Sequence, residues 1–294
     1  MKKDVCFFNS ILLVSLFLLF VSCNKDQSVL HNMEVENFNN EHTILFSQGI
    51  NPANNNNPYD SLGLTHNQLL DAFAFDQDFP LIDRFEYFSD YIQFQKGWLD
   101  MSQYYSSNST DSLSNRIWNL LINEGDLDGT FQYLEDLDSL NSNLLNELME
   151  LFSILPFESE SFSFEDLIDS IKYKENNYQQ QLYTDEENLI YYGTSSVLRY
   201  SLYYWFQVID DDTHPYYSHI LTAVDNFTGE TTILGRPRWL SGIRALTIGL
   251  ADAVGFVGGV AVSFKFFKGC NQCAAGLGVI CGGACSSFVT EVWP

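Results

Sequence analysis

The sequence predicts a mainly α protein, a helical body followed by a Gly/Ala-rich C-terminal helical hairpin, and three observations carry that reading. Apolar residues recur at three- and four-residue spacing through the acidic middle of the chain, as one buried helix face requires. Small residues lie four apart along two stretches of the tail: Ala251, Gly255 and Gly259, then Ala274, Gly278, Gly282 and Ser286. Strand signals concentrate in residues 220–233, with a turn at Asn226 to Gly229, so the expected β element is small. With 294 residues, 46% of them hydrophobic, the chain can bury a sizeable core, which excludes collagen-like, wholly disordered and disulfide-scaffold classes.

The N-terminal segment, residues 1–22, reads as an address. Lys2 and Lys3 precede an apolar run, Ile11 to Phe20, that is too short and one-sided for a standard membrane span and fits a signal peptide. The run ends Phe20-Val21-Ser22-Cys23, which resembles the lipobox of bacterial lipoproteins, with Phe20 where the family usually has Leu. The resemblance implies that Cys23 is acylated and becomes the mature N-terminus. Several acyl chains, at about 0.8 kcal/mol per buried CH₂, anchor a protein to the bilayer without help from its surface. Asn24 after the cysteine, where Asp is absent, implies by the same resemblance the outer rather than the inner membrane, and Lys25-Asp26 resembles the short charged signals that carry such proteins to the cell surface. From Cys23 to Asp60 the chain is polar, with Asn54 to Asn57 between Pro52 and Pro58, a composition that predicts an unfolded tether.

The helical body spans residues 61–210. Asp78 and Pro80 open a helix carrying Leu81, Phe85, Phe88 and Ile92 before Gly97. Leu113, Ile117 and Leu120 or Leu121 mark a second from Asp111 to Asn123. A third covers Phe131, Leu134, Leu137 and Leu140 and is expected to continue through Leu144 to Phe152, until Pro156 stops it. Asn188 to Val208 fits helix or strand by periodicity alone. A loop or β-hairpin follows over residues 211–238. In the tail, residues 239–294, the four-residue spacing of small side chains predicts a smooth stripe that lets two helices pack closely, joined near Lys265 to Gln272.

Against 38 acidic residues stand 14 basic ones, and the net charge of -24 repels phosphate backbones, so nucleic acid is excluded as a partner. Gly-x-Ser-x-Gly, phosphate-loop and His-Glu-x-x-His patterns do not occur. Glu124 to Glu135 overlays a calcium-binding EF-hand loop, with Glu124, Asp126, Asp128, Thr130 and Glu135 as oxygen ligands and Gly129 at the sharp turn. Glu124 stands where such loops prefer Asp, and no second copy pairs with it, so a capped helix–turn–helix joint is the favoured reading and calcium the alternative. His214 and His219 near Asp210 to Asp212 lack the four-residue spacing of helical metal ligands, and Pro215 favours a solvated turn. Cys270-x-x-Cys273 and Cys281-x-x-x-Cys285 are read as disulfide cysteines, because export favours oxidation and the second spacing is loose for zinc. On one helix Cys273 and Cys281 would lie about 12 Å apart and could not be joined; the pairing is otherwise open.

Gly63-Leu64-Thr65-His66-Asn67-Gln68-Leu69-Leu70-Asp71 reads as a helix start, with Thr65 or Asn67 capping it. Its His66, Asn67 and Asp71 also resemble a signature of exported Bacteroidota-type proteins, many of them lipoproteins. Two later pieces resemble the same set: Ser201 to Trp205, with Tyr204, and Ala251 to Gly255, with Asp252, followed by Gly258 and Gly259. The resemblance implies no activity. These readings together predict a non-enzymatic envelope lipoprotein that binds a protein or glycan. The alternative is a membrane-active, pore-type protein acting through the Gly-rich hairpin.

Overall fold

Helices pack around one long central helix in a computed structural model that describes residues 50–76, 84–96, 132, 134–135, 140–157, 162–217, 238–266 and 269–292. The described residues are 78% helical, with seven α-helices and no strand among them. In chain order these are α1 (Ser61–Ala74), α2 (Arg84–Lys96), α3 (Ser142–Phe152), α4 (Phe164–Asn177), α5 (Asp185–Asp210), α6 (Arg238–Phe266) and α7 (Asn271–Val292). All described residues belong to one compact unit, His42–Pro294.

The segment from 188 to 208, ambiguous by period, is helical. Thr184 starts α5 with a capping box, its hydroxyl accepting from the Glu187 N–H while the Glu187 carboxylate accepts from the Thr184 N–H. From Leu189 to Trp205 every residue of α5 is buried. A helix buried on all sides sits at the centre of a fold, and α1, α3, α4, α6 and α7 all pack against α5.

The tail forms the expected hairpin, α6 against α7, seated on α5 and α1. Gly255 and Gly259 face α7 so closely that a Cβ on either would lie within 3.0 Å of it: 2.8 Å from Cys285 Sγ and 2.6 Å from Leu277 O, respectively. Arg244–Phe264 is long and apolar enough to cross a membrane, but 94% of its most apolar window is packed inside the protein.

Several sequence expectations are corrected. The assigned tether ends sooner than Asp60, because Asn54 and Asn57 are buried at 7% and 4% exposure. Composition counts the apolar area they lack, whereas their amides are held by a buried carboxylate. The helix expected to run from Phe131 to Phe152 is interrupted at residues 140–141, where the Asn141 side chain caps α3 by accepting from Asn143 N and Leu144 N, both at 2.9 Å. Helix α1 starts a turn before Thr65, so Thr65 and Asn67 are core residues and cap nothing. His214 is in a turn, as Pro215 predicted, yet its side chain is 8% exposed and packed rather than solvated. The helix predicted at 111–123, the β element at 220–233, His219, Cys23 and the EF-hand positions Glu124, Asp126, Asp128 and Thr130 lie outside the described residues. Glu135 is helical and exposed.

Candidate functional site

Three separated sequence motifs converge in the core. Helix α1 contributes His66 and Asn67, α5 contributes Ser201 and Trp205, and α6 contributes Asp252. Asp252 is wholly buried, and its Oδ2 accepts from the Ser201 hydroxyl and from Trp205 Nε1–H at 3.2 Å. His66 Nε2 faces the same oxygen at 3.5 Å. The ring fits because position 282 of α7 is glycine: a Cβ there would stand 3.3 Å from His66 Cδ2.

Hydrogen-bond accounting fixes the orientation of the ring. Asn67 donates its amide N–H to Tyr200 O at 2.7 Å, so its Oδ1 points at His66 Nδ1, 3.2 Å away, and accepts the proton there. With Nδ1–H committed to Asn67, Nε2 is left facing Asp252 Oδ2 without a hydrogen bond. Serine, histidine and aspartate are the residues of a hydrolytic triad, but the order is wrong. Asp252 accepts the Ser201 hydroxyl and the imidazole faces the carboxylate rather than Ser201, so the ring does not activate Ser201 as a base. All three side chains are closed to solvent.

Asp71 and Tyr204, from the same motifs, join His214 in a second cluster. The Tyr216 N–H donates to His214 Nδ1 at 3.1 Å, which leaves the neutral ring's proton on Nε2, 3.1 Å from the Tyr204 hydroxyl and 3.7 Å from Asp71 Oδ1. Burial first, and then the Asp71 charge, hold the Tyr204 phenol well above its ordinary pKa. Tyr204 and Trp205 meet edge to face at 5.0 Å and link the two clusters.

A third cluster was not singled out in the sequence. Arg199 lies wholly buried in the otherwise uncharged stretch from Asn188 to Val208. Its guanidinium donates to Glu175 Oε1 at 3.0 and 3.1 Å and to Asp60 Oδ1 at 2.6 Å. Glu175 also accepts from Asn54 (2.5 Å), Asn57 (2.8 Å) and Ser195 (2.6 Å). Burial disfavours the Arg199 charge, but Glu175 and Asp60 together outweigh it and raise its pKa. This knot fastens the chain before α1 to α4 and α5. A lone charge within an apolar run was the available signal, since such a group is buried only with partners.

An open groove with an exposed aromatic side chain lies on the surface. This groove of about 490 Å³ beside α4 is lined by Ile154, Asp166, Asp169, Ser170, Tyr173 and Lys174. Tyr173 is 68% exposed. Its wall joins an aromatic face, two carboxylates, a hydroxyl and an amine.

At the hairpin turn Cys270 and Cys273 form a disulfide, S–S 2.06 Å, while Cys281 and Cys285 are buried in α7 outside any disulfide. Among the described residues no group of three or more His, Cys, Asp or Glu is placed to hold a metal ion. No protein-family model, curated protein or solved structure matches this chain.

Proposed function

We propose that the protein is a lipid-anchored envelope protein that binds a glycan without transforming it. The observation carrying the binding half of this reading is the groove beside α4. An exposed tyrosine ring covers the apolar face of a sugar, Asp166 and Asp169 supply acceptors for sugar hydroxyls, and Lys174, which gives one donor to Glu150, keeps others for the ligand. The anchoring half rests on Ser22-Cys23 after an apolar leader and on an acidic body that gains nothing from contact with anionic lipid. The residue types capable of acid–base chemistry in the converged motifs are enclosed, which favours binding over catalysis. Burial of the Gly-rich hairpin against α5 and α1 favours this reading over the pore-type one, because insertion would require the hairpin to leave the core.

The test has two arms. Cells fed labelled palmitate should tag the full chain, and Cys23→Ser should abolish both label and membrane retention. The purified full chain should retain members of a glycan array, and Tyr173→Ala should lose them while its circular dichroism stays unchanged. Substrate turnover, dye release from liposomes, or retention of a protein partner in place of any glycan would overturn the glycan-binding reading.

A further inference from the structure

We propose that the Cys270–Cys273 disulfide is a thiol–disulfide exchange site, with Cys270 as the attacked sulfur and a protein dithiol as the co-reactant. The inference goes beyond glycan binding and uses residues remote in sequence from the groove.

The bridge is poorly suited to a structural role. It spans a sequence separation of three, and a short loop constrains the unfolded chain less than a bridge between distant segments. Both sulfurs belong to the start of α7, so the bond ties no two elements together. The hairpin is held instead by the close approach of α6 and α7 at Gly255 and Gly259.

The local geometry suits exchange. Cys270 stands immediately before α7, and its carbonyl accepts the Ala274 N–H at 3.0 Å, the first bond of the helix. Its sulfur takes the place of a capping hydroxyl, accepting the Cys273 N–H at 3.3 Å. A helix N-terminus and a donated N–H both favour a thiolate on this sulfur over a thiol. The two cysteines are unequal in access, since Cys270 is half-buried and Cys273 only 5% exposed. Gly269 beside Cys270 is exposed, turns with φ 78°, and a Cβ there would meet nothing within 4 Å, so this neighbour does not crowd the site. Charge points the same way. No Asp or Glu occurs between Asp252 and Glu291, whereas Lys265 and Lys268 closely precede Cys270, in a chain of net charge -24.

The exchange balances as follows. A partner thiolate attacks Cys270 Sγ; a partner–Cys270 bond forms as the Cys270–Cys273 bond breaks, and the electron pair leaves on Cys273, which takes up a proton. The partner's second thiolate then attacks the partner sulfur of this mixed disulfide, closing the partner's disulfide and releasing Cys270 as a thiolate. Two electrons pass from the partner dithiol to the pair. In reverse, the Cys270 thiolate attacks a partner disulfide and Cys273 resolves it.

The experiment uses the folded full chain in detergent, with dithiothreitol as reductant, iodoacetamide as thiol probe and peptide mapping to assign each cysteine. Dithiothreitol should reduce the pair without denaturant, and Cys270 should then alkylate at least about tenfold faster than Cys273 at neutral pH, as a favoured thiolate requires. Cys273→Ser should accumulate a mixed disulfide with oxidised glutathione at position 270, and Cys270→Ser should accumulate far less at 273. A pair that resists dithiothreitol until the protein unfolds, or that alkylates at equal rates in the folded state, is a structural bridge and overturns the proposal. Neither variant touches the α4 groove, so loss of glycan retention by Tyr173→Ala and failure of exchange are separate outcomes.

Discussion

Replacing Gly259 by Ala tests the packing of the hairpin with the smallest available probe. The new Cβ would lie 2.6 Å from Leu277 O and 2.9 Å from Gly278 Cα, both atoms of the α7 backbone. It therefore sits about 0.8 Å inside the 3.4 Å at which ordinary contact begins. A backbone cannot swing aside as a side chain does, so α6 and α7 must separate. Opening a gap of 0.5 to 1 Å forfeits roughly a quarter to a half of the dispersion energy of each affected contact. Overpacking of this kind costs about 1 to 3 kcal/mol. Against it stands the gain of about 1 kcal/mol from exchanging glycine for alanine within a helix. The cost wins because the clash involves backbone, and the expected net loss is up to about 2 kcal/mol by the same figures. Gly242→Ala supplies the opposite sign: its Cβ would meet Phe162 at 3.6 Å, an ordinary contact, so the propensity gain stands alone and stability should rise. Urea titrations of the full chain and both variants give the two differences. If Gly259→Ala proves as stable as the parent, the helices are not in backbone contact and the reasoning fails.

Arg199→Met should cost about 3 to 5 kcal/mol, because it strands the buried Glu175 carboxylate; pairing it with Glu175→Gln should restore part of the loss in a double-mutant cycle. Asp252→Ala removes the acceptor of both Ser201 and Trp205 Nε1–H and should cost about 1 to 3 kcal/mol for each orphaned donor, while Asp252→Asn, which keeps an acceptor oxygen, should cost less by thermal melting. Tyr178, Tyr191, Tyr200 and Tyr204 have phenols raised above 10.0, chiefly by burial. A raised folded pKa contributes stability in full below the unfolded value and loses it as pH climbs toward the folded one. These four should thus stay un-ionised in the native protein through pH 10, and tyrosinate absorbance should rise with unfolding; a smooth native titration centred near 10 would contradict their burial.

Periodicity made α2 and α3 legible in part, and the four-residue rows of Gly and Ala made the hairpin legible, because both are one-dimensional traces of a packed face, whereas α5, buried on all sides, was ambiguous by period and α4 was not among the expected helices. The motifs were visible but their meeting was not. His66, Trp205 and Asp252 each look unremarkable in their own segment, and only the close crossing of α1, α5 and α6 makes them one cluster. The knot around Arg199 was missed for a related reason. Asn54 and Asn57 read as tether because composition assigns them no apolar area, while their role depends on Glu175, more than a hundred positions away. His214 was misread as solvated because Pro215 reports on backbone shape and not on the aromatic side chains that cover the turn. The α4 groove left no mark in the sequence beyond a tyrosine on the polar side of an amphipathic helix.

The seat of α7 against α1 and α5 sets a condition on the order of folding. A chain made from its N-terminus produces α1 and α5 long before the residues that cover them. Until Asn271–Val292 emerge, His66 has no wall at position 282 and the face of α6 that carries Gly255 and Gly259 has no partner. The nascent protein must therefore hold that apolar face of α6 uncovered for a time, and late closure of this sort is prone to off-pathway association. Deleting only the final helix should accordingly yield an aggregating chain rather than a smaller folded one, and any factor that shields α6 during synthesis should raise the yield of the intact protein.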